Sequence, residues 1–186
     1  MSSGAAAETA TYPMAPLIRF TLISLYLALV LPLPALAPPD LQPWLLALLP
    51  LGLIIVLALV SEQVELSSSG ISVGHPTWCR WLLRRGWQLQ WDDISGLTPV
   101  ATSQGGRVFY VRTATGSAYL LPQRVQAFED FLSRFHQHTG LDTSSIGRIS
   151  PPWTYQLLAV LCGLLLTGEA IWIAVAFPLP LHTLKA

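Results

Sequence analysis

Along the 186 residues the spacing of hydrophobic positions changes three times. Two nearly unbroken apolar runs come first, PLIRFTLISLYLALVLPLPALA (16–37) and PWLLALLPLGLIIVLALV (43–60), with a short proline-rich link between them. From 64 to 122 apolar and polar residues alternate. From 123 to 140 apolar residues recur every three or four positions, and from 153 to 177 the chain is again continuously apolar. At about 1.5 Å per helical residue, each long run is enough for a hydrocarbon core of about 30 Å. The pattern predicts a transmembrane helical hairpin over 16–60, an inserted domain over 61–150 and a third transmembrane helix over 153–177. Residues 1–15 read as a disordered N-terminus, and 178–186 as a short tail.

Charge follows the same division. The chain is 52% hydrophobic and 11% charged, against about 25% charged in an average soluble domain. Residues 16–60 hold only Arg19 and Asp40, and residues 154–181 hold only Glu169, while 61–150 carry eight arginines and seven acidic residues. The first run also has a secretory-signal pattern, Ala35-Leu36-Ala37. Pro38 directly after it, and a second apolar run close behind, favour a retained helix. Trp44, Trp153 and Tyr155 suit an aromatic belt. Pro50 predicts a kink, and Gly52 close packing. Arg19, Arg80, Arg84, Arg85 and Arg148 all fall on the domain side of three spans, which places the domain in the cytoplasm. The formal net charge is zero, so no general polyanion signal points to nucleic acid.

Within 61–150, VELSSSGISVG (64–74) predicts two strands around a Ser-Ser-Gly turn, and GWQLQW (86–91) a third with Trp87, Leu89 and Trp91 on one face. ISGLTPV (94–100) continues as a strand, and GGRVFYVRTATGSAYLLP (105–122) forms a hairpin. Val125, Phe128, Leu132 and Phe135 make one helical stripe, which Gly140 ends. The fold expected is membrane α plus α+β, its domain an antiparallel barrel of about six strands closed by one C-terminal helix.

These stretches, VELSSSGISV, WQLQWDDISGL, GRVFYVRTATGSAYLLP and FEDFLSRFHQHTG, resemble the bacterial PH-like domains of small membrane proteins. The resemblance covers roughly 64–140 and implies no catalysis. The whole chain is similar to uncharacterised three-span proteins of cyanobacteria. A neighbouring pattern is that of the photosystem I assembly factors, which set a two-helix membrane hairpin before a soluble domain. This chain departs from it by its third span.

Chemistry-bearing residues are few. Asp92-Asp93 is an acidic pair in a turn, and adjacent carboxylates leaving a strand point apart rather than toward one substrate. His136 and His138 are two apart on a helix and cannot chelate as an i, i+4 pair would. Cys79 and Cys162 lie in different regions, so neither a disulfide nor a metal site is expected. No catalytic residue and no cofactor are expected.

Three features remain. Glu169 lies well inside an apolar run, where a carboxylate is costly, so it is expected to face Ser24, Tyr26, Thr167 or another protein. Gly163 and Thr167 form a small-xxx-small packing face. WCRWLLRRG (78–86) is amphipathic: Trp78, Trp81 and Leu82 share a side, Cys79 and Leu83 widen it, and Arg80, Arg84 and Arg85 lie opposite or at its edge. Tryptophan and arginine together suit a bilayer surface or a protein interface. The expected function is a non-enzymatic scaffold or assembly factor for a membrane complex, photosynthetic if the resemblance carries, with the lipid bilayer and another membrane protein as partners. The alternative is a small transport or proton-handling subunit centred on Glu169.

Overall fold

The computed structural model describes residues 9–83, 86–103, 105–148 and 152–176. They divide into two compact units. One holds the residues up to Ile18 and those from Ala58 on through the strands, and the other holds Arg19–Leu57 with the C-terminal helix.

The strand unit contains two antiparallel sheets. In the first, β1 (Ala10–Pro13), β2 (Gln63–Leu66), β3 (Gly70–Gly74) and β4 (Trp87–Gln90) pair in chain order. In the second, β5 (Ile94–Ala101), β6 (Arg107–Thr113) and β7 (Ala118–Leu120) do the same. Period-two alternation sets the faces. Val64, Leu66, Ile71, Val73 and Leu89 point into the core, as do Phe109 and Val111 of the second sheet. Glu65, Ser72 and Gln88 lie in register on the other face of the first sheet. Pro99 sits in β5, an edge strand, where its missing N–H costs no ladder bond.

The amphipathic stripe forms helix α4 (Phe128–Thr139; numbered in chain order after the helices α1 to α3 described below), and its Phe128, Phe131, Leu132 and Phe135 are buried against both sheets' apolar residues. Each such side chain contributes about 1.5–3 kcal/mol by leaving water. Gly140 ends the helix in the left-handed region (φ 68°), its N–H bonded to the carbonyl of His136 at 2.7 Å.

Two expectations are corrected. The ladders join into two separate sheets, and no closed barrel is found among the described residues. The described residues form seven strands, because Ala10–Pro13, read as part of a disordered tail, is a strand. The partner of Tyr12 is Val64, beyond the whole helical hairpin, and a four-residue ATYP has no local period that reveals so distant a pairing. The N-terminal segment also ties down the start of α4. Ala15 donates to the carbonyl of Arg124 (2.8 Å), and Gln126 donates to that of Pro13 (2.7 Å).

Tyr12 links these parts. It is buried, packs edge-on against Phe131 (5.6 Å between ring centres) and donates a 2.5 Å hydrogen bond to Asp130. Arg134 pairs with the same carboxylate at 3.3 Å. Burial first, then the bond to Asp130 and its charge, push the Tyr12 hydroxyl up from 10.0 to about 12. A raised folded pKa means this contribution is whole below pH 10 and is lost as pH rises from there through about 12. Stability of the strand unit is therefore expected to fall across that alkaline window, and to fall less steeply in Tyr12→Phe. Urea midpoints measured at several alkaline pH values check this.

In the helical unit, α1 (Pro16–Val30), the short α2 (Leu33–Leu36), α3 (Gln42–Leu59) and α5 (Pro152–Ala176) account for the apolar runs. Three stretches, Pro16–Leu36, Gln42–Leu59 and Trp153–Val175, are helices long and apolar enough to cross a membrane. The first run breaks between α1 and α2, since Pro32 and Pro34 cannot donate to the carbonyls four residues back. Tyr26 donates to the carbonyl of Leu49 at 2.6 Å. A side chain on Gly52 would collide with that hydroxyl, so Gly52 permits the close approach expected of it. Thr21, fully buried, reaches the carbonyl of Tyr155 at 3.4 Å and ties α1 to α5.

Candidate functional site

After β3 the chain makes two overlapping hydrogen-bonded turns. The carbonyl of Pro76 accepts from Cys79 and Arg80 (both 3.1 Å), and the carbonyl of Cys79 accepts from Leu82 (3.0 Å) and Leu83 (3.3 Å). Cys79 is buried, its thiol 3.6 Å from the Pro76 carbonyl. With that residue turned inward, the neighbours turn out. Trp78 is 50% exposed, Trp81 80% and Leu82 41%. The Trp81 indole N–H donates to the carbonyl of Trp78 at 2.9 Å, which holds the exposed ring in one orientation. Trp78, Trp81 and Leu82 are each exposed, and Arg80, expected opposite Trp81, lines one groove with it. Cys79 does not join them, because the segment is a pair of turns and the 100° spacing of an α-helix does not apply. Arg80 is exposed beside Trp81. Arg84 and Arg85 lie outside the described residues.

Beneath this loop runs a groove of about 990 Å³ over the polar face of the first sheet. Glu65, Ser72 and Gln88 form its floor, and His75, Arg80 and Trp81 its wall. Glu65 accepts a hydrogen bond from Gln63 at 2.8 Å. Nδ1 of His75 is buried without a hydrogen-bond partner. The loop thus offers two indoles and a guanidinium beside a groove rich in donors and acceptors.

The other titratable candidates have structural surroundings. Asp92 and Asp93 are exposed in a 3₁₀ turn that leads into β5. His136 bonds through Nδ1 with the carbonyl of Leu141 (2.7 Å), while His138 stacks on Trp91 (4.6 Å, 5°), so the two rings point apart as their spacing required. Among the described residues no three His, Cys, Asp or Glu side chains gather as a metal site. Cys79 and Cys162 are buried in separate units.

Glu169 lies on the more buried stripe of α5 with Tyr155, Cys162 and Leu166. It opens on an apolar cleft of about 630 Å³, whose walls include Leu36, Leu161, Leu164, Leu165 and Trp172. Its Oε2 is buried with no hydrogen-bond partner. The expected partners are engaged elsewhere or not in reach of it: Tyr26 serves Leu49, and Thr167 donates to its own helix at the Gly163 carbonyl (2.7 Å). Ser24 is buried on α1 and does not bond with Oε2. Gly163 and Thr167 are exposed, and a side chain added at Gly163 would touch nothing, so the small-residue face is open.

Over 160 residues the chain is 42% identical to the uncharacterised protein slr0269 of Synechocystis, an alignment that spans 83% of this chain and 80% of that one. The chain belongs to the slr0269 family. No family model matches it, and no solved structure does. The sequence resemblance to uncharacterised cyanobacterial proteins is thereby supported.

For this slr0269-family chain, the sequence singles out the tryptophan loop and Glu169 as candidates but does not reveal the two hollows beside them. The groove was missed because its floor is assembled from three strands. Its signal was present in the polar members of the alternation, Glu65, Ser72 and Gln88, each of which faces away from the core. The cleft beside Glu169 was missed because Pro32 and Pro34 break the first run, and no periodicity reports where a broken helix turns.

Proposed function

We propose that this protein spans a membrane three times and acts as a non-enzymatic scaffold or assembly factor. In this reading the cytoplasm-facing strand domain holds another membrane protein through Trp78, Arg80, Trp81 and Leu82. The observation that carries it is the loop itself. Two large indoles are held outward by a buried Cys79 and by backbone bonds, at a cost in exposed apolar surface that a partner removes. Tryptophan and arginine are the residues that most often dominate binding energy.

Pairing of β1 with β2 supports the topology. Strands on either side of the helical hairpin share one sheet, so the hairpin must enter and leave a membrane on the same side. The order of seven strands followed by one amphipathic helix supports a PH-like domain. The setting we propose is a thylakoid or bacterial inner membrane, a reading that the kinship with a Synechocystis protein supports. The partner of first choice is a protein, since the loop adjoins a polar groove able to take a peptide's donors and acceptors. Contact of the same loop with the bilayer surface is the other outcome of the test.

The tagged chain, purified in mild detergent, is expected to come with a stoichiometric membrane protein. Trp78→Ser with Trp81→Ser is expected to weaken that association roughly a hundredfold, taking about 1–2 kcal/mol per lost anchor. Because both side chains are exposed, thermal stability should stay within about 0.5 kcal/mol of the parent. Recovery of the parent chain as a lone monomer under all growth conditions would contradict the scaffold reading.

A further inference from the structure

We infer that the cleft beside Glu169 is a binding site for a lipophilic molecule that carries a hydroxyl group. This goes beyond the scaffold reading and does not rest on it, since every residue involved belongs to the helical unit. The cleft measures about 630 Å³, inside the range of roughly 300–1,000 Å³ typical of small-ligand sites. It is too small for a helix of a partner. Its walls are almost wholly apolar: Leu36 of α2 on one side, Leu161, Leu164, Leu165 and Trp172 of α5 on the other. These leucines are themselves largely exposed, so the cleft is open sideways, and an occupant enters from the apolar surroundings of the helices.

Against these walls stands one buried polar atom without a partner, Oε2 of Glu169. A buried polar group left unpaired is costly, and the cost is larger where no water reaches. Glu169 lies seven residues before the end of α5 at Ala176, about 10 Å along the helix axis. No described side chain of the unit completes Oε2, and an occupant of the cleft can. A hydroxyl fits best. It both donates and accepts, and so pairs with the carboxyl group whether or not that group carries its proton. An ether or ketone only accepts and an ammonium only donates, so each would serve one form alone. Gly168 leaves the floor open, as a side chain added there meets nothing.

The test uses the full chain in detergent, two probes of matched size, 4-nonylphenol and its methyl ether 4-nonylanisole, and native mass spectrometry of the protein–probe adducts. The parent protein is expected to prefer the phenol roughly tenfold, the effect of one hydrogen bond in apolar surroundings. Glu169→Gln, whose amide can also donate to the ether oxygen, should narrow the preference, and Glu169→Leu should take both probes equally. Gly168→Leu, whose Cβ would meet no neighbouring atom and whose side chain adds bulk in the cleft, should reduce uptake of both. Equal uptake of the two probes by the parent overturns the inference, as does a preference that survives Glu169→Leu or uptake unchanged in Gly168→Leu. Glu169→Gln and Gly168→Leu keep the test readable if Glu169→Leu fails to fold.

Discussion

Tyr12→Ala is expected to destabilise the strand unit by about 3–5 kcal/mol, the range for truncating a large buried aromatic. Total stabilities of single domains are about 5–15 kcal/mol, so this one change removes a large share. Three losses coincide. The ring leaves a cavity beside Phe131, the hydroxyl leaves Asp130, and β1 loses the residue that faces Val64. Tyr12→Phe keeps the first and third contributions and loses only the hydrogen bond, about 1–2 kcal/mol. Chemical denaturation followed by tryptophan emission measures both, since Trp91 is buried in the same core. If Tyr12→Ala cost less than about 1 kcal/mol, β1 would not belong to the cooperative unit. The consequence reaches beyond stability, because β1 precedes the helical hairpin. The domain cannot complete its first sheet until the chain before and after the hairpin has met.

Gly86→Ala is the second change with a large expected effect. A side chain at Gly86 would run into the carbonyl of Val73 and the backbone of Gly74. Backbone cannot swing aside as a side-chain tip can, so β3 and β4 must separate at the end from which the tryptophan loop springs. Forced overpacking of this kind costs roughly 1–3 kcal/mol. The distinguishing readout is local: amide exchange should accelerate in 70–74 and 87–90 while the β5–β6 ladder keeps its protection. Exchange that is unchanged in β3 and β4 would contradict the close approach. Gly116, at the turn between β6 and β7, offers the contrast. A side chain there meets nothing, but φ of 86° disfavours any L residue, so its replacement should strain the turn without parting strands.

These two positions show what the chain announces and what it conceals. The alternation of 64–74 and 105–122, and the stripe Phe128, Leu132 and Phe135, each state an element through its neighbours alone, and each is present. The three apolar runs are equally legible, because length and composition suffice. Tyr12 and Gly86 are different. Their importance comes from partners far along the chain or from the closeness of another backbone, and neither leaves a periodic trace. The same division holds at the sites. Trp78, Trp81 and Leu82 stand out in the sequence as large residues beside arginines, whereas the inward turn of Cys79 depends on hydrogen bonds to Pro76 that spacing does not encode. Glu169 stands out by its charge in an apolar run. The cleft it faces depends on a helix break at Pro32 and Pro34.

The most direct test of the docking reading places a photo-activatable crosslinker at Trp81 in the full chain, in its native membrane, with a second at Thr115 in the exposed β6–β7 turn as control. One dominant adduct with a membrane protein is expected from position 81, and none of that mass from position 115. Adducts from position 81 to lipid alone, or identical adducts from both positions, would contradict the docking reading.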